Sequence, residues 1–220
     1  GADRQQPRSF DFAAVHVEGI REVSALDIAL AEDLGYRIKL LGLAALATAG
    51  IAARVHPCMV PASAPIARVD GVFNAVVAEG DHVGRVMLEG RGAGAGPTAS
   101  AVVADLIDLA RGRVTPVWGA AAGALAAAPS VPMDRHVGAY YLRLMVLDRP
   151  GVIADVTGIL RDQAISLEAM LQRGRAPGEP VPVVLTTHDC EEAQMRRALA
   201  RIAALEAVLE TPALIRIEPL

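Results

Sequence analysis

The last part of the chain changes its hydrophobic period in a fixed order, and this order constrains the fold more than any other feature. "YYLRLMVL", residues 140–147, alternates with period two and sets Tyr141, Arg143 and Met145 opposite Leu142, Leu144 and Val146. "RPGVIADVTGILRDQ" then takes helical spacing, with Pro150 and Gly151 at its start and Val152, Val156, Ile159 and Leu160 on one face. "ISLEAMLQRG" and "VPVVLTTHD" read as strands joined across "RAPGEP", "EEAQMRRALARIAAL" as a second helix, and "LIRIEPL" as a last strand. The order βαββαβ over residues 139–220 predicts a ferredoxin-like layer, two helices on one face of a four-stranded sheet.

Residues 113–138 are rich in Ala, Gly and Pro and poor in charge, and read as a linker with room for a short helix at 119–128. They set off a first domain at 10–112. There Ser24 and Asp27 carry the start signals of a helix that Gly35 ends. "YRIKLLGLAAL" and "IAARVHPCMVP" read as strands around the Gly50 turn, and the two β-rich runs flanking Glu79-Gly80-Asp81 as a hairpin. A helix at about 97–111 follows. The expected fold class is α+β: a mostly antiparallel sheet covered by helices, then the βαββαβ domain.

Charge and cysteine content remove several function classes. The net charge is −4 with no Lys/Arg cluster, so neither nucleic acid nor an anionic membrane is an expected partner. The longest apolar run, 40–53, is shorter than a membrane helix needs. Cys58 and Cys190 stand far apart and suggest reduced thiols of a cytoplasmic protein. The polar start "GADRQQPRSF" is no signal peptide. His16, His56, His82, His136 and His188 show no ligand spacing, and "VHPCMVP" reads as a strand-end histidine beside a buried thiol, so no metal is expected.

"GRGAGAGPTASAVVADLIDLARG", residues 90–112, places four glycines ahead of an apolar helix. Gly90-x-Gly92-x-x-Ala95 formally fits a dinucleotide fingerprint. However, the linker follows where a second strand and its acidic residue belong, so the run is not a Rossmann turn. Ala99, Val102, Val103, Leu106, Ile107 and Ala110 form an apolar stripe behind it. Asn74 reads as a strand-edge hydrogen-bonding residue, and Lys39, although near Asp33, as structural.

Residues 142–172, "LRLMVLDRPGVIADVTGILRDQAISLEAMLQ", resemble the ACT domain, an amino-acid-sensing module. Gly151 would let the chain turn tightly so that free N–H groups of the first helical turn face an anion. The resemblance implies Asp148, Arg149, Gly151, Val152 and Ile153 as the lip of an effector pocket, with threonine among the candidate effectors. "HVEGIREVSALDIALAEDLGYRIKLLGLA", "VHPCMVPASAPIARVDGVFNAVVAEGDHVG" and the glycine stretch together resemble homoserine dehydrogenase, over about 10–112. That family interconverts L-homoserine and L-aspartate 4-semialdehyde with NAD(P), on the route to threonine and methionine.

The resemblance implies a C-terminal portion of such an enzyme. The family's Rossmann domain, catalytic Lys and Asp partner precede the region matched here, so no catalytic residue is assigned in this chain. It also implies that the glycine loop closes the cofactor cleft from the opposite side, with Gly92 and Gly94 against the cofactor; Gly96 stands where relatives carry a larger residue. The chain alone is expected to bind no cofactor tightly and to be inactive, and to assemble with itself through its sheets and ACT domains. The alternative is a free-standing amino-acid-binding regulatory or oligomerisation protein.

Overall fold

The structure, a computed structural model, describes residues 8–113, 121–172 and 177–220. In chain order its elements are β1 (Arg8–Ser9), β2 (His16–Val17), α1 (Ala25–Asp33), β3 (Tyr36–Ala47), β4 (Gly50–Pro61), β5 (Phe73–Gly80), β6 (Gly84–Arg91) and α2 (Ala95–Ala110). There follow β7 (Ala126–Ala127), β8 (Val137–Leu147), α3 (Val152–Asp162), β9 (Leu167–Gln172), β10 (Pro180–Thr187), β11 (Cys190–Glu191), α4 (Glu192–Ala203) and β12 (Ala213–Ile217). Part of the short helix expected at 119–128 lies outside the described residues. The rest holds one 3-10 turn and β7.

The βαββαβ expectation is met. β12, β8, β10 and β9 lie side by side in that order with every neighbour antiparallel, the ferredoxin-like arrangement. Alternation along β8 divides two cores. Tyr140, Leu142, Leu144 and Val146 pack with Val152, Val156, Ile159 and Leu160 of α3 and Met195, Ala198 and Ile202 of α4. Tyr141 faces the other way, with Val184, Ile215 and Ile217, against Leu30 and Ala31 of α1. The sheet therefore carries helices on both faces, α3 and α4 on one and α1 on the other.

The second cover comes from the first segment of the sequence. β12 would otherwise leave its outer edge open, and β4 pairs with it in parallel, Arg216 opposite Cys58 and Ile217 opposite Met59. β3 runs antiparallel to β4 along its whole length, extending the same sheet. The chain thus compacts as Asp11–Ala62 with Pro129–Leu220, and separately as Gly1–Phe10 with Ser63–Ala128. A boundary drawn at 113–138 follows the order of the segments but not this division, because strand pairing ignores sequence distance. The two hairpins of the first segment, β3–β4 and β5–β6, do not share a sheet.

Local signals set the element ends. Ser24 caps α1, its hydroxyl accepting from the Asp27 N–H while the Asp27 carboxylate accepts from the Ser24 N–H, a full capping box. Gly35, at φ +82°, leads out of that helix. Gly50 has no room for a side chain: a Cβ would overlap the Pro129 carbonyl oxygen, which accepts from the Ile51 N–H at 2.9 Å. The expected hairpin closes through three residues, 81–83, before Gly84 at φ +71°.

Candidate functional site

The glycine loop leads from β6 into α2. Gly94 is the N-cap residue of α2 at φ +118°, a conformation that side chains rarely adopt, and a Cβ there would meet only the Pro97 ring, at 3.4 Å. The Thr98 N–H donates to the Gly94 carbonyl, and Pro97 has no N–H, so Ala95 and Gly96 hold first-turn N–H groups without a helical acceptor. The loop is exposed and offers backbone rather than side chains. Gly92 differs. Its N–H donates to the Val72 carbonyl at 2.7 Å, and a Cβ would overlap the Asn74 amide, so a side chain of this same chain accounts for that glycine. Asn74 therefore packs on the loop from β5. The apolar stripe of α2 lies on the surface, with Val102, Val103, Leu106 and Ile107 between 43% and 57% exposed.

The second candidate lies where β8 turns into α3. Asp148, Arg149, Gly151 and Ile153 line a cavity of about 350 Å³, together with Gln172 and Pro177. Gly151 caps α3 in the left-handed region at φ +95°, with open space where a Cβ would stand. The loop is held by backbone bonds, the Asp148 N–H donating to Glu179 and the Gly178 N–H to Asp148, each at 3.0 Å. Four of the five lip residues thus gather at one cavity. Val152 does not line it: the residue is 3% exposed and belongs to the core, because the first helical turn points its side chain at the sheet.

Two ionic clusters escaped the reading of the sequence. On the α3/α4 face, the Arg216 guanidinium lies between carboxylates of Glu192 and Glu18, with contacts of 2.5–3.0 Å. The Tyr140 hydroxyl donates to Glu192 at 2.9 Å. Burial alone would raise the Glu18 carboxyl, but the bonds from Arg216 and His16 outweigh it and bring the pKa down to about 2. On the other face Arg143 donates from Nε and Nη2 to the two oxygens of the Asp27 carboxylate, at 2.7 and 3.2 Å. The signal was present in both strands: each arginine interrupts an apolar run, and a buried guanidinium needs a carboxylate.

His56, Cys58 and Glu218 also come together, their candidate ligand atoms within 4.8 Å of one another. No spacing could announce this, since Glu218 arrives from the end of β12. The cation of this cluster is supplied by the protein. Arg54 donates from Nη2 to Glu218 at 2.7 Å and from Nε to His56 Nε2 at 3.2 Å, leaving the Nδ1–H to donate to the Pro57 carbonyl at 3.0 Å. Both imidazole nitrogens are engaged, so the set reads as a satisfied buried network. Burial pulls the His56 pKa down to about 4 and pushes the Cys58 thiol up to about 12. Lys39 stands on β3 in register with Cys58, while Asp33 is the last residue of α1.

The family model described as homoserine dehydrogenase matches residues 6–107, and that of the ACT domain matches residues 140–207. A homoserine dehydrogenase of Neisseria gonorrhoeae is 40% identical over 216 residues, 96% of this chain and 50% of the relative. One from Pseudomonas aeruginosa is 40% identical over 221 residues, 97% of this chain and 50% of the relative.

The chain belongs to the homoserine dehydrogenase family and carries an ACT domain.

The crystal structure of a homoserine dehydrogenase from Thiobacillus denitrificans superposes with a TM-score of 0.84 at 45% identity, covering 95% of this chain and 48% of that one. A Staphylococcus aureus homoserine dehydrogenase, at 21% identity and a TM-score of 0.65, shares the fold. The chain spans about half the length of the curated relatives it matches. Among the described residues no helix is long and apolar enough to cross a membrane.

Proposed function

We propose that residues 10–112 form the portion of a homoserine dehydrogenase catalytic and dimerisation domain that closes the nucleotide cleft, and that residues 139–220 sense a small amino acid. The observation that carries this reading is the order of the two family matches along one chain, homoserine dehydrogenase and then ACT, in company with relatives 40% identical across both. The residues fit a lid better than a pocket. Gly94 lets the backbone pass close to a flat anionic ligand, and the Ala95 and Gly96 N–H groups with the positive end of α2 favour its phosphates. Gly92, where a Cβ would overlap the Asn74 amide, lies in the same loop and is assigned with Gly94 to the backbone that faces the cofactor. NAD(P), when bound, supplies the hydride exchanged between L-homoserine and L-aspartate 4-semialdehyde; this chain helps to orient it and to keep water out. The catalytic Lys and Asp of the family are assigned to no position here.

The effector site is the cavity at Asp148, Arg149, Gly151 and Ile153, where first-turn N–H groups of α3 suit an amino-acid carboxylate. Threonine is the first candidate. The protein works in the cytoplasm as a homo-oligomer. Two measurements test the reading. The 220-residue chain incubated with semialdehyde and NADPH is expected to give no turnover above background, and turnover would overturn the lid assignment. Co-expression with the N-terminal half of the Pseudomonas aeruginosa relative is expected to restore activity, which Gly94→Val lowers at least tenfold. No restoration, or no loss on that substitution, would count against it.

A further inference from the structure

We propose that a second cavity in the ACT-bearing unit, remote in sequence from the 148–153 loop, binds a free α-amino acid as its zwitterion. The cavity measures about 560 Å³, within the range of small-molecule sites, and is walled by Val23, Pro57, Pro212, Leu214 and Ile215. Its floor holds Arg143, whose residue is 9% exposed. Asp27 engages this guanidinium through Nε and Nη2 and locks its plane. The remaining edge, Nη1, lies 3.9 Å from the Glu210 carboxylate, too far for a hydrogen bond. Its N–H groups are the charged donors this cavity offers a carboxylate, with the Thr211 hydroxyl also in the lining.

The rim has the opposite character. Glu18, Glu22 and Glu210 all line the cavity, but Glu18 is consumed by Arg216, His16 and Arg196. Among the described residues Glu22 has no ionic partner, and Glu210 has only the long approach to Arg143. An anion alone would meet this rim with repulsion, and a cation alone would leave the Nη1 donors unused. A molecule with a carboxylate and an ammonium on neighbouring atoms satisfies both, and the apolar walls suit an aliphatic side chain. The site joins the segment leaving β2 to the segment entering β12, so an occupant would clamp elements that are far apart in sequence.

The test uses the 220-residue chain labelled with ¹⁵N and screened with each of the twenty L-amino acids by amide chemical shifts. At least one is expected to perturb amides at 18–23 and 210–215. Its affinity should fall tenfold or more in the double variant Glu22→Gln, Glu210→Gln, both exposed positions whose change leaves the circular dichroism melt in place. The N-acetyl and methyl-ester derivatives of that amino acid should bind at least tenfold more weakly. The proposal is overturned if no amino acid binds, if shifts are confined to 148–153, or if the double variant binds as tightly. Equal binding of the methyl ester overturns it as well, since that outcome marks a plain cation site.

Discussion

Arg216 is 1% exposed and Glu192 is fully buried, so their pair is the buried part of a cluster in which Glu18 also holds Arg216 and Arg196 also holds Glu192. Glu192→Ala is expected to lower stability by about 3–5 kcal/mol in urea unfolding, whereas Glu192→Met with Arg216→Met should cost far less, because both charges leave together. A cost for the double variant equal to that of the single one would refute the pairing. His56 sets a pH dependence. Its ordinary pKa of 6.5 falls to about 4 on folding, so between these values the unfolded chain binds a proton that the folded chain does not. Stability is therefore full above pH 6.5 and declines as pH falls toward 4, by on the order of 3 kcal/mol. Glu18, lowered from 4.5 to about 2, adds a second decline between those values. Urea midpoints from pH 7 to 4 should slope less in His56→Gln, and an unchanged slope would remove His56 from the account. Burial lifts Cys58 to about 12 and Cys190 to about 11, so both thiols should resist a disulfide reagent at pH 8 until denaturant is added. Rapid labelling of the native chain would contradict their burial.

Among the elements, the ends were legible and the partners were not. Ser24, Asp27 and Gly35 announced α1 because capping is a contest among neighbours along the chain. Nothing along the chain announced that Asp27 would also receive Arg143, more than a hundred residues away. Gly50 has a similar double reading. Its place between two strands signals a turn, but the need for glycine comes from the Pro129 carbonyl across it. Gly50→Ala is expected to destabilise by more than about 2 kcal/mol, since the overlap is with backbone that cannot swing aside. Gly96→Ala, with open space around its Cβ and a position inside α2, should be neutral or slightly stabilising. Thermal melts of the two variants would separate them, and equal melts would refute the clash.

For the whole molecule, the decisive event is the pairing of β12 with β4. A fragment of residues 139–220 keeps its βαββαβ order but loses β4 at the sheet edge and α1 over Tyr141, Val184, Ile215 and Ile217. It is therefore expected to self-associate in sedimentation, or to melt well below the full chain, because an open edge and a bare apolar face both seek cover. A monomeric fragment as stable as the full chain would show that the shared sheet contributes nothing. The amino-acid sequence by itself determined the elements, their order, the ferredoxin-like layer and the glycine loop, all of which follow from periodicity and turn chemistry within a few residues. Only the tertiary structure decided which carboxylate meets each buried arginine, that Arg54 serves His56 and Glu218, that Asn74 fills the space above Gly92, and that a hairpin from the first segment completes the sheet of the last. These depend on contacts between residues far apart in the chain, and neither period nor spacing encodes which distant surface a strand edge or a buried charge will find.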